Sequence, residues 1–75
     1  MLDTRVETFL AVCETLSYTK AAAVLHLSQP AVSQQVHALE QDYGAPLFRY
    51  QGRRLHLTAA GRALERAATT VRNDD

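Results

Sequence analysis

The side chains with the most chemical potential lie between Ser28 and His37. Ser28, Gln29, Ser33, Gln34 and His37 supply hydroxyls, carboxamides and an imidazole, with Pro30 among them. A carboxamide both donates and accepts, so it can make paired hydrogen bonds to an adenine edge, and a hydroxyl can do either. The stretch holds no Asp, Glu, Lys or Arg. Nothing in it repels phosphate, and nothing in it binds by charge alone. A second group is Arg53-Arg54 beside Gly52, two cations with no acid nearby. That pair suits a phosphate or a narrow minor groove, and a solvated basic turn is its plainer reading.

Other chemistries fit poorly. His26, His37 and His56 with Cys13 match no zinc-ligand spacing, so no metal site and no cofactor are expected. His37 lies among the candidate reading residues, where it acts either as a surface polar group or as a titrating one. Ser, His and Asp occur without a strained nucleophile turn, no phosphate-binding loop is present, and the chain is too short for a substrate cleft. An enzyme is not expected.

The elements that would position these groups follow from periodicity. A first helix is expected from Thr4 to Leu16, capped by Asp3 or Thr4. It turns Val6, Phe9, Leu10, Cys13 and Leu16 inward and Glu7, Ala11, Glu14 and Thr15 outward. Cys13 then reads as a buried structural thiol. A short second helix over Tyr18 to Leu25 has caps in Ser17 and Thr19, and its three alanines favour helix and close approach. Ser28 caps a third helix from Gln29 to Tyr43, because a proline is tolerated in a first turn, and Gly44 with Pro46 ends it. Val32, Val36, Leu39 and Tyr43 share its apolar face. Pro30, Ser33, Gln34, His37 and Gln41 share the opposite one, with Gln29 at the margin.

From Leu47 the period changes. Leu47 to Tyr50 and Leu55 to Leu57 flank Gln51-Gly52-Arg53-Arg54, the pattern of a hairpin with a basic tip. Thr58 caps a fourth helix to about Arg72 with a stripe of Ala60, Leu64, Ala67 and Val71, and a polar tail, Asn73 to Asp75, is expected to fray. Helix, turn, and a second helix with an uncharged polar face form the helix-turn-helix pattern, against which stands a plain helical bundle with a polar outer surface.

Composition sets the frame. Seventy-five residues make one small domain, and 47% hydrophobic with 21% charged is a globular balance. The single cysteine forbids an internal disulfide, no apolar run approaches a membrane span, and no leader is visible, which points to a cytoplasmic protein without a membrane partner. Eight basic residues balance eight acidic ones. Zero net charge argues against a polyanionic partner and favours a winged-helix protein-interaction or dimerisation module that leaves DNA alone. The distribution argues the other way. Residues 44–72 carry Arg49, Arg53, Arg54, Arg62, Arg66 and Arg72 against Glu65 alone, while the acids collect in the first helix and the tail.

Ala21-Ala22, Leu25-His26-Leu27-Ser28-Gln29-Pro30-Ala31-Val32-Ser33, Gln35-Val36, Leu39-Glu40, Gly44-Ala45-Pro46-Leu47-Phe48, Gly52-Arg53 and Leu57-Thr58-Ala59-Ala60-Gly61 together resemble the N-terminal domain of LysR-type transcriptional regulators. The likeness runs from about Val6 to Ala68. It implies a mainly α fold: a winged helix-turn-helix of three helices and a two-stranded wing over residues 1–58, then a linker or dimerisation helix over 59–75. It implies binding of double-stranded DNA as a homodimer, with a tetramer open to the full-length protein. Gln29, Pro30, Ser33 and Gln34, with His37 on the same face, would read bases. Thr19, Lys20, Ser28, Arg53 and Arg54 would hold the DNA backbone, and Leu64, Ala67 and Val71 would pair with a second copy. A small-molecule effector would act only through a further domain that these residues do not include. Two positions depart from the family pattern: Gln34 and Tyr50 stand where arginine is common. Strand alternation aims Arg49 at the opposite face from position 50, so fewer cations flank the groove and more of the affinity falls to base contacts.

Overall fold

The computed structural model describes residues 3–74, with side chains to Thr70. The order is α1 (Thr4–Thr15), α2 (Tyr18–Leu25), α3 (Gln29–Tyr43), β1 (Phe48–Gln51), β2 (Arg54–Leu57) and α4 (Ala59–Asp74). The two strands form one antiparallel hairpin, with Phe48 opposite Leu57, Arg49 opposite His56, Tyr50 opposite Leu55 and Gln51 opposite Arg54. Helix α4 thus includes Asn73 and Asp74, past the expected end, and Asp75 lies outside the described residues.

Each helix starts where a side chain can accept an otherwise unpaired N–H. The Asp3 carboxylate accepts from the Arg5 N–H at 2.7 Å, and the Ser17 hydroxyl from Lys20 at 3.1 Å. Ser28 accepts from Ala31 at 3.2 Å and Thr58 from Gly61 at 3.0 Å. The first three helices end in left-handed residues, Leu16, His26 and Gly44, whose N–H groups close back on the last turn. Gly44 and Gly52 have φ of 68° and 63°, a conformation that costs glycine little. Gly52 leads the two-residue turn of the hairpin, where that freedom suits strand twist.

Helix α1 is the centre of the core. Thr8 through Cys13 are buried without interruption, because α2, α3 and α4 all pack on it. The amphipathic stripe is therefore too narrow a description. Ala11, expected outward, is buried, and Leu16, expected inward, is 48% exposed because it has become the left-handed cap. Tyr43 is likewise 55% exposed, since the last turn of α3 overruns the core that covers Val32, Val36 and Leu39. The buried Thr8 hydroxyl donates to the Gln35 carboxamide oxygen, which ties α1 to α3. Cys13 is a core residue as expected. Burial pushes its thiol up to about 12, with the Glu65 carboxylate adding to the shift, so it stays protonated and unreactive at neutral pH.

The hairpin is anchored at its root. Phe48 packs against Phe9 with ring centroids 5.3 Å apart and takes the edge of Tyr18 at 6.1 Å. Leu47 is fully buried. Helix α4 then leaves the sheet under tight steric control: a Cβ on Gly61 would fall 2.2 Å from the Leu47 carbonyl oxygen and 2.8 Å from Leu57 Cδ2. Gly61, Leu64 and Ala68 face this chain's own core, while Ala67 is exposed. The inward stripe of α4 is thus rotated from the one expected, because close approach at Gly61 sets the phase. Leu64 is corrected from a free dimerisation residue to a core residue, and the Val71 side chain lies outside the described residues.

Gly61→Ala should destabilise the fold by about 1–3 kcal/mol, since the obstructing atom is backbone. Thermal unfolding followed by circular dichroism should lose roughly 4–8 °C per kcal/mol in a domain of this size. An unchanged midpoint would mean that α4 can draw back from Leu47 at no cost.

Candidate nucleic-acid interface

The candidate face is assembled by the turn between α2 and α3. His26 closes α2, Ser28 opens α3, and Pro30 falls in the first turn, where no helical donor is lost. Gln29, Pro30, Gln34 and His37 are exposed, and Ser33 is half-buried. Pro30, Gln34 and His37 lie on the side of α3 away from Val32, Val36 and Leu39, with half-buried Ser33 at its edge, while Gln29 falls nearer the Val36 side and is exposed because it opens the helix. The Gln29 carboxamide nitrogen donates to the Ser33 hydroxyl at 2.8 Å, and the Gln41 amide lies 3.2 Å from the His37 ring. Both pairs are one turn apart, so the side chains lie along the helix in a defined order. The Gln29 carbonyl oxygen and the Ser33 hydroxyl proton remain for a partner.

Two acids near this face have partners outside it. Asp42 accepts from the Arg5 guanidinium at 2.7 Å, across from α1. Glu40 accepts from the Leu47 N–H at 2.8 Å and lies 3.7 Å from His37 Nδ1. That carboxylate therefore belongs as much to the root of the hairpin as to α3. Arg5 is held by Asp3 and Asp42 together, which raises its pKa, and the Asp3 carboxyl is lowered by the hydrogen bonds from Arg5. Tyr18 is pushed up to about 12 by burial, with Glu40 and Tyr50 adding, so its phenol stays neutral.

Around the face stand the expected backbone-holding residues. Thr19 and Lys20 are exposed in the first turn of α2, and Ser28 is exposed although its oxygen caps α3. Its hydroxyl proton is still free to donate elsewhere. Arg53 is in the hairpin turn and Arg54 begins β2, both exposed. Tyr50 shares a strand face with Phe48 but is 62% exposed near the tip. Arg49 points the other way, as alternation requires, and this has a result that sequence reasoning missed. Arg49 and His56, a directly opposed pair, line a groove with Gln51 and with Arg62 from α4. Arg62 counts among the cations of residues 44–72 but has no expected role of its own. The antiparallel register was the signal available for grouping Arg49 with His56; nothing in the spacing of α4 pointed to Arg62.

Three helices, a capped helix-turn-helix and a two-stranded wing define a winged helix-turn-helix domain. Residues 4–62 match the sequence profile described as "Bacterial regulatory helix-turn-helix protein, lysR family". The HTH-type transcriptional activator CmpR of Synechocystis sp. is 45% identical over 65 residues, a match that takes in 87% of this chain and 21% of that protein. A crystal structure of a LysR-family transcriptional regulator from Eggerthella lenta superposes with a TM-score of 0.87 at 56% identity, covering 92% of this chain and 99% of that one. The CbnR DNA-binding domain, solved in complex with DNA, superposes with a TM-score of 0.86 at 37% identity over 97% of this chain and 84% of that one. The chain belongs to the LysR family of bacterial regulatory helix-turn-helix proteins. It spans about a fifth of the CmpR length.

Glu40→Ala removes the acceptor for Leu47 and should cost about 1–3 kcal/mol, the usual range for a hydrogen bond to a charged group. Amide hydrogen exchange at Leu47 should accelerate more than at Val32 or Val36. Equal protection in both proteins would show that the carboxylate does not hold the hairpin root.

Proposed function

We propose that this chain is the DNA-reading part of a transcriptional regulator, with α3 lying in the major groove of duplex DNA. The observation that carries this reading is the exposed, uncharged hydrogen-bonding face of α3, from Gln29 to His37, beside a turn with two exposed arginines. A helix fits the width of the major groove, and only there do the four base pairs differ fully in donor and acceptor pattern. Gln29, Pro30, Ser33, Gln34 and His37 read base edges. Thr19, Lys20 and Ser28 hold backbone phosphates, and Arg53 and Arg54 take the adjacent minor groove or backbone. The likeness to a domain solved on DNA supports this.

Selection of bound duplexes from a random pool supplies a preferred site. On that site Gln29→Ala should weaken binding by about 1–3 kcal/mol, with a much smaller loss on random duplex. Equal losses on both would make Gln29 a positioning residue. Arg53→Ala with Arg54→Ala should weaken both duplexes alike and flatten the salt dependence, by about 0.9 in log–log slope for each phosphate no longer neutralised.

The regulator acts as a dimer in this reading, with two copies on successive half-sites of one duplex face. Leu64 is committed to its own core, so the pairing surface is the exposed side of α4 that carries Ala63 and Ala67 and continues toward Val71. Small side chains there let a second helix approach closely. Sedimentation over a concentration range should give a reversible monomer–dimer equilibrium that Ala67→Glu abolishes. A monomer at every concentration, on DNA and off it, would refute the dimer. A small-molecule effector and any tetramer belong to parts of the regulator beyond these residues.

A further inference from the structure

Beyond the reading face lies a groove between the outer surface of the wing and the start of α4. It is lined by Arg49 and Gln51 of β1, His56 of β2, Arg62 of α4 and the Ala45-Pro46 segment, and among the described residues no Asp or Glu lines it. Three different elements thus bring two guanidiniums and an imidazole to one concave surface. Elsewhere in the fold a cation that serves structure has carboxylates beside it, as Arg5 has Asp3 and Asp42. Glu65, the nearest acid along α4, interacts with Cys13 in the core instead. The groove also borders the end of α3. Ala45 and Pro46 line it on one side and, on the other, line the hollow formed by His37, Glu40, Gln41 and Gly44 at the end of α3.

We infer that this groove holds the phosphodiester backbone of the same duplex that α3 reads, an inference that rests on the DNA-binding reading above. Arg49 and Arg62 carry the charge, with His56 and Gln51 offering further hydrogen bonds. The partner is chosen by charge and by continuity. A surface with cations and no acids selects a polyanion, and a strand leaving the end of α3 meets the groove across two residues. Because α3 itself exposes no cation between Gln29 and His37, the groove supplies attraction that the reading helix lacks. It adds affinity without adding base preference, since phosphate contacts orient a duplex but do not read it.

The test is a salt titration of the full chain on a random duplex of about 40 base pairs, long enough for several helical turns, and on its selected site. Arg49→Gln with Arg62→Gln should reduce the log–log slope by about 0.9 for each phosphate that loses its cation, equally on both duplexes, and leave the ranking of base substitutions unchanged. Arg49→Lys with Arg62→Lys, which keeps the charges, should restore most of the slope. If the glutamine pair leaves the slope intact while Arg53→Gln with Arg54→Gln lowers it, the groove takes no backbone and the inference fails although DNA binding stands. If the unaltered chain binds neither duplex, the DNA reading fails and takes the inference with it. A change in sedimentation of the glutamine pair without DNA would make the groove an interface between copies, which also overturns it. Matching circular dichroism spectra and melting midpoints, with Arg62→Gln alone as a second variant, separate these outcomes from misfolding.

Discussion

The peptide group and side chain of Leu47 join three parts of the molecule that must keep a fixed relation. Its N–H donates to the Glu40 carboxylate on α3, and its carbonyl accepts from the Thr58 N–H at the start of α4. Its side chain is fully buried, and its carbonyl lies against Gly61. Helix α3, the wing and α4 therefore meet at one residue. The Thr58 hydroxyl reinforces the junction by donating to the Pro46 carbonyl while it accepts from Gly61. A buried carbonyl or N–H without a partner is costly, so this point resists shearing.

The electrostatics follow the same economy. The chain is neutral in total, but the fold uses several of its acids internally. Asp3 and Asp42 hold Arg5, Glu40 holds Leu47, and Glu65 interacts with the Cys13 thiol. Arg49, Arg53, Arg54 and Arg62 remain exposed on the wing and the start of α4. A neutral chain thereby keeps four exposed cations on the wing and the start of α4, while the exposed side of α3 between Gln29 and His37 carries no formal charge.

Much of this architecture is legible in the amino-acid order. The caps Asp3, Ser17, Ser28, Gly44 and Thr58 are local chemistry, and the element boundaries follow from them to within a residue or two at most ends. The hairpin is legible from its change of period, but its turn is tighter than expected: Gln51 and Arg54 pair as the last rung, leaving only Gly52 and Arg53 in the turn, and Leu47 stays outside the strand. The polar side of α3 is legible because helical spacing puts Pro30, Gln34 and His37 away from Val32 and Val36. Expectation and structure part where a residue's neighbours come from distant sequence. Ala11 is inside because α1 is surrounded, Leu16 is outside because its backbone turned left-handed, and Tyr43 is outside because α3 outruns its cover.

The sequence by itself determined the class of domain, the helix-turn-helix, the uncharged polar side of α3 and the basic hairpin tip, all of which depend on interactions within a few residues. Only the tertiary structure decided which face of α4 turns inward, and so that Leu64 serves this chain's core. Only it decided that Glu40 reaches Leu47, and that Arg49, His56 and Arg62 share one groove. The physical reason is common to these cases. Periodicity gives the direction of a side chain relative to its own helix or strand, but the rotation and close approach of whole elements are set by packing, here by a glycine with no room for a Cβ.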